Sequence, residues 1–305
     1  MLYTIQDGKI RAKAIEYSVS YHCNLKCSAC SHMSPFIAKK FPALDSFERD
    51  LEVLGKVLHV GDIRMLGGEP LLNPQIVDFL KAARRSKIAD QIMLTTNGLL
   101  LAGMSDEFWE SVDFIWLSLY PNREPPAKAM EKIKARAKES NTRLDIDPTS
   151  HFRATYLTEP QPKDMITDMI FKTCGSAHNF HCHMLYEGKI HKCAVPPFLS
   201  EFLATMGKSG YDSSVDAFDV HASNDLFSDL KEFLFKAETL EACRWCAGYV
   251  GKWEAHHQLD PAVLANPGSE VRSRANRLSW KHFAKETASY YYRRATEKVT
   301  GKPQW

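Results

Sequence analysis

The stretch CNLKCSAC, residues 23–30, holds three of the eight cysteines of this 305-residue chain. Cys23, Cys27 and Cys30 follow the spacing C-x3-C-x2-C. Iron–sulfur cubes normally take four cysteine ligands, so a cube held by three thiolates keeps one iron free for a small-molecule ligand. The same difference separates open catalytic zinc sites from closed structural ones. The spacing therefore predicts a metal centre with one open coordination position.

The composition is that of an ordinary globular protein, with 44% hydrophobic, 25% charged and 11% aromatic residues. The length leaves room for one large α/β domain and a small module. The formal net charge is +2, so nothing in the overall charge calls for a polyanionic partner. Neither a secretory leader nor an apolar run long enough to span a bilayer is recognisable. We therefore expect a cytoplasmic protein without membrane or nucleic-acid partners, whose grouped cysteines bind metal.

Strand-like and helix-like segments alternate along the first half of the chain. The predicted strands cover residues 14–20, 63–66, 91–95, 114–119 and 143–147. The predicted helices are one capped by Asp45 and closed by Gly61, one with Pro74 at its first position, and two over residues 105–110 and 126–140. Repeated βα units imply a parallel sheet with right-handed crossovers.

Three motifs fall at the carboxyl ends of predicted strands, where parallel sheets bind ligands. They are the cysteine triplet, the run GGEP at 67–70 and the run TTNG at 95–98. Gly67 and Gly68 allow a backbone to approach a ligand without obstruction by side chains. Glu69 and the adjoining carbonyls offer hydrogen-bond acceptors for an ammonium group.

These motifs, with LSLY at 117–120, resemble the radical S-adenosylmethionine (radical SAM) superfamily over roughly residues 14–150. The resemblance implies an α/β fold, a partial (βα)6 barrel, and a [4Fe–4S] cluster held by Cys23, Cys27 and Cys30. In that family the open iron binds the amino and carboxylate groups of SAM. Reductive cleavage of SAM then gives a 5′-deoxyadenosyl radical that takes hydrogen from the substrate. The alternative is a structural zinc site beside an unrelated glycine turn.

The resemblance also assigns contacts with SAM. It implies that residues 67–69 cradle the methionine amine and that Asn97 and Ser118 touch the cosubstrate. One position departs from the family pattern, because an aromatic residue usually precedes the third cysteine and this chain has Ala29 there. That aromatic residue packs near the adenine in the family, so we expect the adenine contacts to be rearranged here.

A second cysteine pattern lies in the C-terminal half, C-x13-G-x4-C followed by C-x2-C. It resembles the auxiliary-cluster module called the twitch domain and lacks the further cysteines of the longer SPASM module. The resemblance implies a second [4Fe–4S] cluster held by Cys174, Cys193, Cys243 and Cys246. Four thiolates would leave no iron open, which favours electron transfer over substrate binding. A four-cysteine zinc site that pins a hairpin is the alternative.

Cys182 does not fit this pattern, because only five residues separate it from Gly188. Three roles stay open for it: a spare buried thiol, an alternative ligand, or a hydrogen-atom donor facing the substrate. Gly188-Lys189 is predicted to be the turn of a hairpin. A helix is predicted over residues 225–236, with Asn224 as its cap. The histidines around this module receive no role.

These changes of pattern divide the chain into three predicted regions. They are a radical SAM core (1–168), a twitch-like auxiliary-cluster module (169–258) and a basic helical C-terminal extension (259–305). Residues 269–305 carry nine Lys and Arg against three Glu. We interpret this excess as a solvated helix face, with a phosphate-bearing substrate, an acidic reductase or nucleic acid as the alternative partners.

Substrate residues are expected at the later strand ends and in the bridge to the second module. The candidates are Tyr120, Asp145, Asp147, His151 and Arg153. A carboxylate or a tyrosine can anchor amines or hydroxyls, and a guanidinium can orient an oxygen and ease the loss of its proton. The alternative for each is a surface residue or a member of a structural ion pair.

The expected reaction is a two-electron oxidation of a small polar substrate, such as a sugar, cyclitol or aminoglycoside, with the second cluster as electron acceptor. The compact module is similar to that of the radical SAM alcohol dehydrogenase of aminoglycoside biosynthesis. The alternatives are an epimerase that uses Cys182 as hydrogen donor and a peptide-modifying maturase. The expected partners are the small-molecule substrate and an electron donor such as flavodoxin or ferredoxin.

Overall fold

A computed structural model describes residues 3–266 and 277–300 of the chain. The strands in these residues are β1 (Thr4–Gln6), β2 (Lys9–Ser20), β3 (Leu58–Gly67), β4 (Ala89–Thr96), β5 (Phe114–Leu119), β6 (Arg143–Pro148), β7 (His151–Arg153), β8 (Met184–Tyr186), β9 (Lys189–His191), β10 (Ala217–Asp219) and β11 (Trp253–Ala255). The α-helices are α1 (Leu44–Leu54), α2 (Ile76–Ser86), α3 (Asp106–Ser111), α4 (Ala127–Glu139), α5 (Met165–Lys172), α6 (Gly175–His178), α7 (Val195–Ala204), α8 (Leu226–Phe235), α9 (Pro261–Ala265) and α10 (Trp280–Thr300). Short 3-10 helices cover Pro70–Leu72, Leu101–Gly103, Ser213–Asp216, Glu241–Trp245 and Gly248–Val250.

One large sheet organises the described residues, in the order β10-β9-β8-β2-β3-β4-β5-β6 with β1 paired to β2. Strands β2 to β6 are parallel and adjacent in chain order, as the repeated βα units predict. β8 also joins β2 in parallel, whereas β1, β9 and β10 pair antiparallel. The predicted α/β fold with a parallel sheet is confirmed, and this open strand order agrees with a partial barrel.

The hydrophobic core lies between the parallel strands and the helices α1 and α2. Ile15, Tyr17 and Val19 of β2 all belong to it, as the alternation of side chains along a strand requires. Phe47 of α1 meets the Tyr17 ring at 4.2 Å between centroids, and Phe47 and Leu51 are at most 1% exposed. Burial of each such side chain stabilises the fold by about 1.5–3 kcal/mol. This packing fixes the strands whose carboxyl ends carry the motifs.

The boundaries of the first helix differ from the prediction. α1 begins one residue before Asp45, whose carboxylate pairs with Arg49 at 2.7 Å and caps nothing. Gly55 closes the helix, and Gly61 lies inside β3. The prediction that Gly61 closes the helix is wrong, because β2 pairs with the residues before Gly61 and holds them extended. That pairing is non-local, so the local pattern does not contain it.

The second helix begins at Ile76 and not at Pro74 as predicted. Oδ1 of Asn73 accepts a hydrogen bond from Gln75 N at 2.8 Å, and its Nδ2 donates to Val19 O at 2.7 Å. These two bonds hold the chain in a turn before the helix starts. A contact with a distant strand therefore decides where the helix begins.

The helices of the C-terminal part agree with the predictions only in part. α8 is capped by Asp225, whose carboxylate accepts from Ser228 N at 3.2 Å, and not by the predicted Asn224. The predicted C-terminal helix is present as α10, while residues 267–276 and 301–305 of the predicted basic extension lie outside the described residues. None of the described helices combines the length and apolarity needed to cross a membrane.

The predicted hairpin is confirmed as β8 and β9. Its turn consists of Glu187 and Gly188, one residue before the predicted Gly188-Lys189, and both have positive φ, 47° and 75°. β8 continues the main sheet beyond β2, and Glu16 N donates to His183 O at 2.7 Å. The hairpin of the predicted second region thus extends the sheet of the first, and the division at residue 168 stays a prediction.

A buried carboxylate ties this hairpin to α1. Asp50 is 3% exposed and accepts hydrogen bonds from Gly188 N at 3.2 Å and from His221 Nε2 at 2.6 Å. Burial raises the pKa of Asp50, and the bonds from His221 and Gly188 act in the opposite direction. Because a buried acceptor without donors is costly, these two bonds offset the burial of the carboxylate.

Replacement of Asp50 by Ala should lower the free energy of unfolding by about 1–3 kcal/mol, because Gly188 N and the His221 ring would lose their common partner. Urea denaturation followed by circular dichroism measures this change. Glu52→Ala removes an equal charge at an exposed position of α1, the helix that carries Asp50, and should cost less than about 0.5 kcal/mol. Equal effects of the two substitutions would mean that Asp50 does not hold the hairpin.

Candidate functional site

A cleft of about 190 Å³ opens at the carboxyl ends of the parallel strands. The triplet follows β2, the GGEP turn follows β3, the TTNG turn ends β4, and β5 and β6 lead to the remaining walls. The predicted site residues that line this cleft together are Cys23, Cys27, Cys30, Gly67, Gly68, Glu69, Asn97 and Tyr120. This is the position at which parallel α/β sheets bind ligands.

The thiols of the triplet are partly covered. Cys27 is buried, whereas Cys23 and Cys30 are half-buried. Burial raises the pKa of Cys23 and of Cys27 to about 12, and the charge of the neighbouring Cys30 adds to the rise in both. All three residues line the same cleft. Thiolates are the ligands that iron–sulfur clusters take, and metal binding would displace their protons, so this donor set fits a cluster.

The two glycines of GGEP stand where the end of β3 crosses the cysteine loop. Gly68 N donates to Ser20 O at 2.8 Å, and Glu69 N donates to His22 O at 3.0 Å. A Cβ on Gly68 would lie 2.1 Å from His22 O, and a Cβ on Gly67 would lie 2.1 Å from Ser20 O. Gly67 also has a φ of 134°, in the region that favours glycine. The glycines therefore let two backbones meet, a role beyond the approach to a ligand that the motif predicts.

Glu69 is buried, and its carboxylate receives three hydrogen bonds from its own chain. Oε1 accepts from Thr96 Oγ1 at 2.6 Å and from Leu71 N at 3.1 Å. Oε2 accepts from Asn97 N at 2.9 Å. Burial raises the pKa of Glu69 to about 7, and these donors act in the opposite direction. The carboxylate thus joins the GGEP turn to the TTNG turn, a contact that neither motif indicates by itself.

The two other predicted SAM contacts differ in position. Asn97 lines the cleft, where its Nδ2 donates to Asn24 Oδ1 at 2.7 Å and lies 3.8 Å from Cys23 Sγ. Ser118 is buried at the end of β5 and hydrogen-bonds Tyr120. In the described part of the chain Ser118 does not line the cleft, whereas Tyr120 does.

The predicted substrate residues on the last strands are dispersed. Tyr120 lines the cleft, but Asp145 pairs with Arg143 on its own strand. Asp147 accepts a hydrogen bond from a nearby threonine hydroxyl at 2.8 Å, and His151 is exposed in β7. Of the five candidates, only Tyr120 lines the cleft within the described residues.

Arg153 is held by contacts within its own chain and does not line the cleft among the described residues. Its guanidinium lies 4.4 Å from the centre of the Tyr249 ring and 4.2 Å from that of Trp253. Nη1 donates to Gly251 O at 3.1 Å. Burial lowers the pKa of Arg153, and the contact with Tyr249 acts in the opposite direction. The stacking joins β7 to the segment around β11, so it serves packing between these parts of the fold.

A segment far along the chain also borders the triplet, although its sequence carries no motif. Oε1 of Gln258 accepts from Lys26 N at 2.6 Å, and its Nε2 lies 3.5 Å from Cys27 Sγ. Ser28 N donates to His257 O at 2.9 Å. Gln258 and Cys27 are 231 positions apart, so no local pattern links them.

The four cysteines of the second pattern converge beside the hairpin. Burial raises the pKa of Cys193 well above its ordinary value, and the charges of Cys174, Cys243 and Cys246 add to the rise. Three of the four pack on the buried side chains Phe171, Ala177 and Leu240. Four convergent thiols fit a cube with no open iron. Within residues 3–266 and 277–300, no three Cys, His, Asp or Glu side chains stand close enough to hold one single metal ion.

Cys182 points elsewhere. It hydrogen-bonds the buried carboxylate of Glu16 and lies near Arg64. Burial raises the pKa of Cys182 well above its ordinary value, the charge of Glu16 adds to the rise, and Arg64 opposes it. Glu16 lies four residues before the end of β2, about 13 Å along the strand. The thiol is thus set back from the cleft, which it does not line in the described structure.

Gly68→Ala should displace the triplet loop, because the added Cβ overlaps the carbonyl oxygen of His22. After anaerobic reconstitution, the iron bound per chain should fall by roughly the content of one cluster, about four irons. A colorimetric iron assay measures this. Gly103→Ala adds the same methyl group where nothing lies within 4 Å and should keep the wild-type iron content. Unchanged iron in the Gly68 variant would contradict the argument.

Glu69→Gln should lower the free energy of unfolding at pH 8 by about 1–3 kcal/mol. Each carboxylate oxygen faces a backbone N–H, so the amide nitrogen must meet one of them in either orientation. Chemical denaturation of the metal-free protein measures the change. Glu52→Gln, at an exposed position of α1, makes the same substitution and should be close to neutral. A neutral result at Glu69 would show that the carboxylate does not brace the two turns.

The comparisons with known proteins agree with the motifs. Residues 17–122 match the family model of the radical SAM superfamily. The GTP 3′,8-cyclase of Clostridium perfringens is 28% identical over 173 residues, 52% of this chain and 51% of that protein. The GTP 3′,8-cyclase of Geobacter sulfurreducens is 34% identical over 126 residues, 40% of this chain and 39% of that protein. The chain matches about half the length of the first of these curated relatives, and less of the second.

Two solved structures share a more distant similarity. BtrN in complex with AdoMet and 2-DOIA has a TM-score of 0.45 and 14% identity, covering 78% of this chain and 94% of that chain. anSMEcpe with bound AdoMet has a TM-score of 0.42 and 13% identity, covering 95% and 96%. At these TM-scores the similarity carries no functional argument. The family model and the curated relatives thus agree with the motifs in relating residues 17–122 of this chain to the radical SAM superfamily.

Proposed function

We propose that the chain is a radical SAM oxidoreductase that abstracts hydrogen from a small polar substrate and completes a two-electron oxidation. One observation carries the proposal: the seven cysteines of the two patterns gather in two separate places. The triplet opens on a cleft, whereas three of the group of four, Cys174, Cys193 and Cys243, pack on the buried side chains Phe171, Ala177 and Leu240. An open set of three and a closed set of four suit different tasks, cosubstrate binding and electron transfer.

When bound, a [4Fe–4S] cluster and SAM would supply the 5′-deoxyadenosyl radical. Cys23, Cys27 and Cys30 would hold that cluster. The GGEP turn would offer backbone oxygens to the methionine amine, since the carboxylate of Glu69 is already engaged by its own chain. Asn97 and the Tyr120 ring would border SAM from the neighbouring strand ends.

The group of four cysteines would hold a second [4Fe–4S] cluster. With all four irons ligated by Cys174, Cys193, Cys243 and Cys246, such a cluster exchanges electrons and does not bind substrate. A substrate that has lost a hydrogen atom must still lose one electron and one proton to become a ketone. The second cluster is the proposed acceptor of that electron. The twitch-like character of the module, its boundaries at residues 168 and 258, and the sugar-like class of the substrate belong to the same proposal.

The proposed partners are the small-molecule substrate and a protein electron donor such as flavodoxin or ferredoxin, in a reducing, cytoplasmic setting that keeps the thiols free. An epimerase that uses Cys182 as hydrogen donor is less well supported, because this thiol bonds to Glu16 well behind the cleft. The family model covers the triplet and the cyclase relatives match about half of the chain or less, so together they support the initiating chemistry and leave the substrate open.

The test is anaerobic reconstitution followed by iron and sulfide analysis and by incubation with SAM and dithionite. Two cubes give about eight irons per chain, and the mixture should release 5′-deoxyadenosine. Cys30→Ala should abolish that release, while Cys243→Ala with Cys246→Ala should keep it and lose about four irons. Cys182→Ala should leave both readouts at the wild-type level. A fully loaded wild type that never releases 5′-deoxyadenosine would refute the proposal.

The reaction type is tested by the mass of the product and by the stoichiometry of SAM. Oxidation gives a product two mass units lighter than the substrate and consumes one SAM per turnover. Epimerisation in deuterated water leaves one deuteron on carbon, and a maturase acts only on a precursor peptide. Four irons with one zinc per chain would remove the proposed electron acceptor. Incubation with GTP in place of the polar substrate tests for a cyclase reaction.

A further inference from the structure

The segment around Gln258 lies antiparallel against the loop of the cysteine triplet. Cys27 and Gln258 form an isolated bridge between the two segments. On either side of it, Ser28 N donates to His257 O at 2.9 Å and Leu259 N donates to Lys26 O at 2.7 Å. Residues 257–259 therefore follow the triplet loop like an added strand.

The orientation of the Gln258 carboxamide is fixed by its partners. Lys26 N can only donate, so the atom 2.6 Å from it is the amide oxygen, Oε1. The amide nitrogen Nε2 must then face the other way, where Cys27 Sγ lies at 3.5 Å. His256 Nε2 lies 3.2 Å from the same nitrogen and completes its surroundings. One side chain thus holds a backbone N–H of the loop and donates to the sulfur beside it.

The segment is itself anchored on the barrel side of the cleft. His256 N donates to Ser150 O at 2.9 Å, and the His256 ring stacks on Tyr120 with centroids 4.8 Å apart. β11 precedes the segment and pairs with β7 over three residues. Because Gln258 is held from this side, its contact with the triplet does not depend on the loop alone.

A hydrogen bond to a cluster-bound thiolate has a known electrostatic effect. The donor is attracted more strongly when the cluster carries an extra electron, so it favours the reduced form and raises the reduction potential. Cys23 receives a bond from Leu25 N at 3.3 Å, and Cys30 lies 3.4 Å from Ser34 Oγ. Those donors come from the same loop, whereas the donor to Cys27 comes from the C-terminal part of the chain.

We propose that Gln258 is a positioning residue of the triplet: its carboxamide fixes the loop through Lys26 N and its Nε2–H donates to the sulfur of Cys27. This inference rests on the proposed function, because it takes the triplet as the ligand set of the SAM-binding cluster. Its consequence is that the C-terminal segment raises the reduction potential of that cluster and slows its loss of metal.

Two substitutions separate the structural from the electrostatic part. Gln258→Leu removes both hydrogen bonds. Gln258→Glu keeps an oxygen for Lys26 N and places a second oxygen, with negative charge, beside the sulfur. Gln6→Leu, at an exposed position of β1, is the matched control. Circular dichroism of the metal-free proteins establishes that each variant folds, and the Glu variant keeps the test available if the Leu variant does not.

Two measurements on the reconstituted proteins decide the question. Release of iron to a chelator should be faster in Gln258→Leu, by about tenfold. The midpoint potential of the cluster whose electron paramagnetic resonance signal changes on addition of SAM should become more negative in both variants. The shift should be larger for Gln258→Glu, although its loop anchor is preserved. A residue with a merely structural role would speed the release of iron in Gln258→Leu and leave the potential of that variant unchanged.

The outcomes separate this inference from the proposed function. A wild type that binds no iron, or shows no signal change with SAM, refutes the proposed function and this inference with it. A wild type that loads normally, with both variants matching it in iron release and potential, refutes only the role of Gln258. A shift in the Leu variant alone also refutes the sulfur hydrogen bond, because the Glu variant lacks that bond too.

Discussion

The peptide of Gly68 lies against the peptide of His22, with a space that admits hydrogen and no carbon atom. Two hydrogen bonds cross this contact, from Gly68 N to Ser20 O and from Glu69 N to His22 O. They continue the pairing of β2 with β3 beyond the ends of the strands. The start of the cysteine loop is therefore positioned by the sheet itself. This arrangement determines the shape of the cleft.

The buried carboxylate of Glu69 connects this contact to the turn after the next strand, β4. It binds Leu71 N on its own turn and Thr96 and Asn97 on the turn after β4. Asn97 in turn donates to Asn24 in the cysteine loop. The three turns are thus connected in a closed set of hydrogen bonds, and each turn is held by the other two.

Local signals in the sequence are sufficient for much of this. The cysteine spacings, GGEP, TTNG, LSLY and the apolar runs of the parallel strands predict the α/β fold, the order of the parallel strands and about half of the residues that line the cleft. Each signal lies within a few residues, and each reflects a local requirement such as a tight turn or a buried strand. The hairpin at Gly188 is predictable for the same reason, within one residue.

Other features depend on contacts between distant parts of the chain. The start of α2 is set by the bond from Asn73 to Val19, and the hairpin is fixed by Asp50, which lies 138 positions before Gly188. Gln258 carries no local pattern at all. The prediction of a substrate role for Arg153 has a different weakness, because its stacking on two aromatic rings is visible only once the fold is known.

The outer edge of β2 receives its partners from two separate places, β1 near its beginning and β8 near its end. Both lie outside the family-model segment of residues 17–122. An exposed strand edge presents unpaired N–H and C=O groups that other chains can add to, which is a common origin of aggregation. The β8–β9 hairpin therefore also shields the sheet against such association, and a fragment ending before it would be expected to precipitate or to form edge-to-edge assemblies.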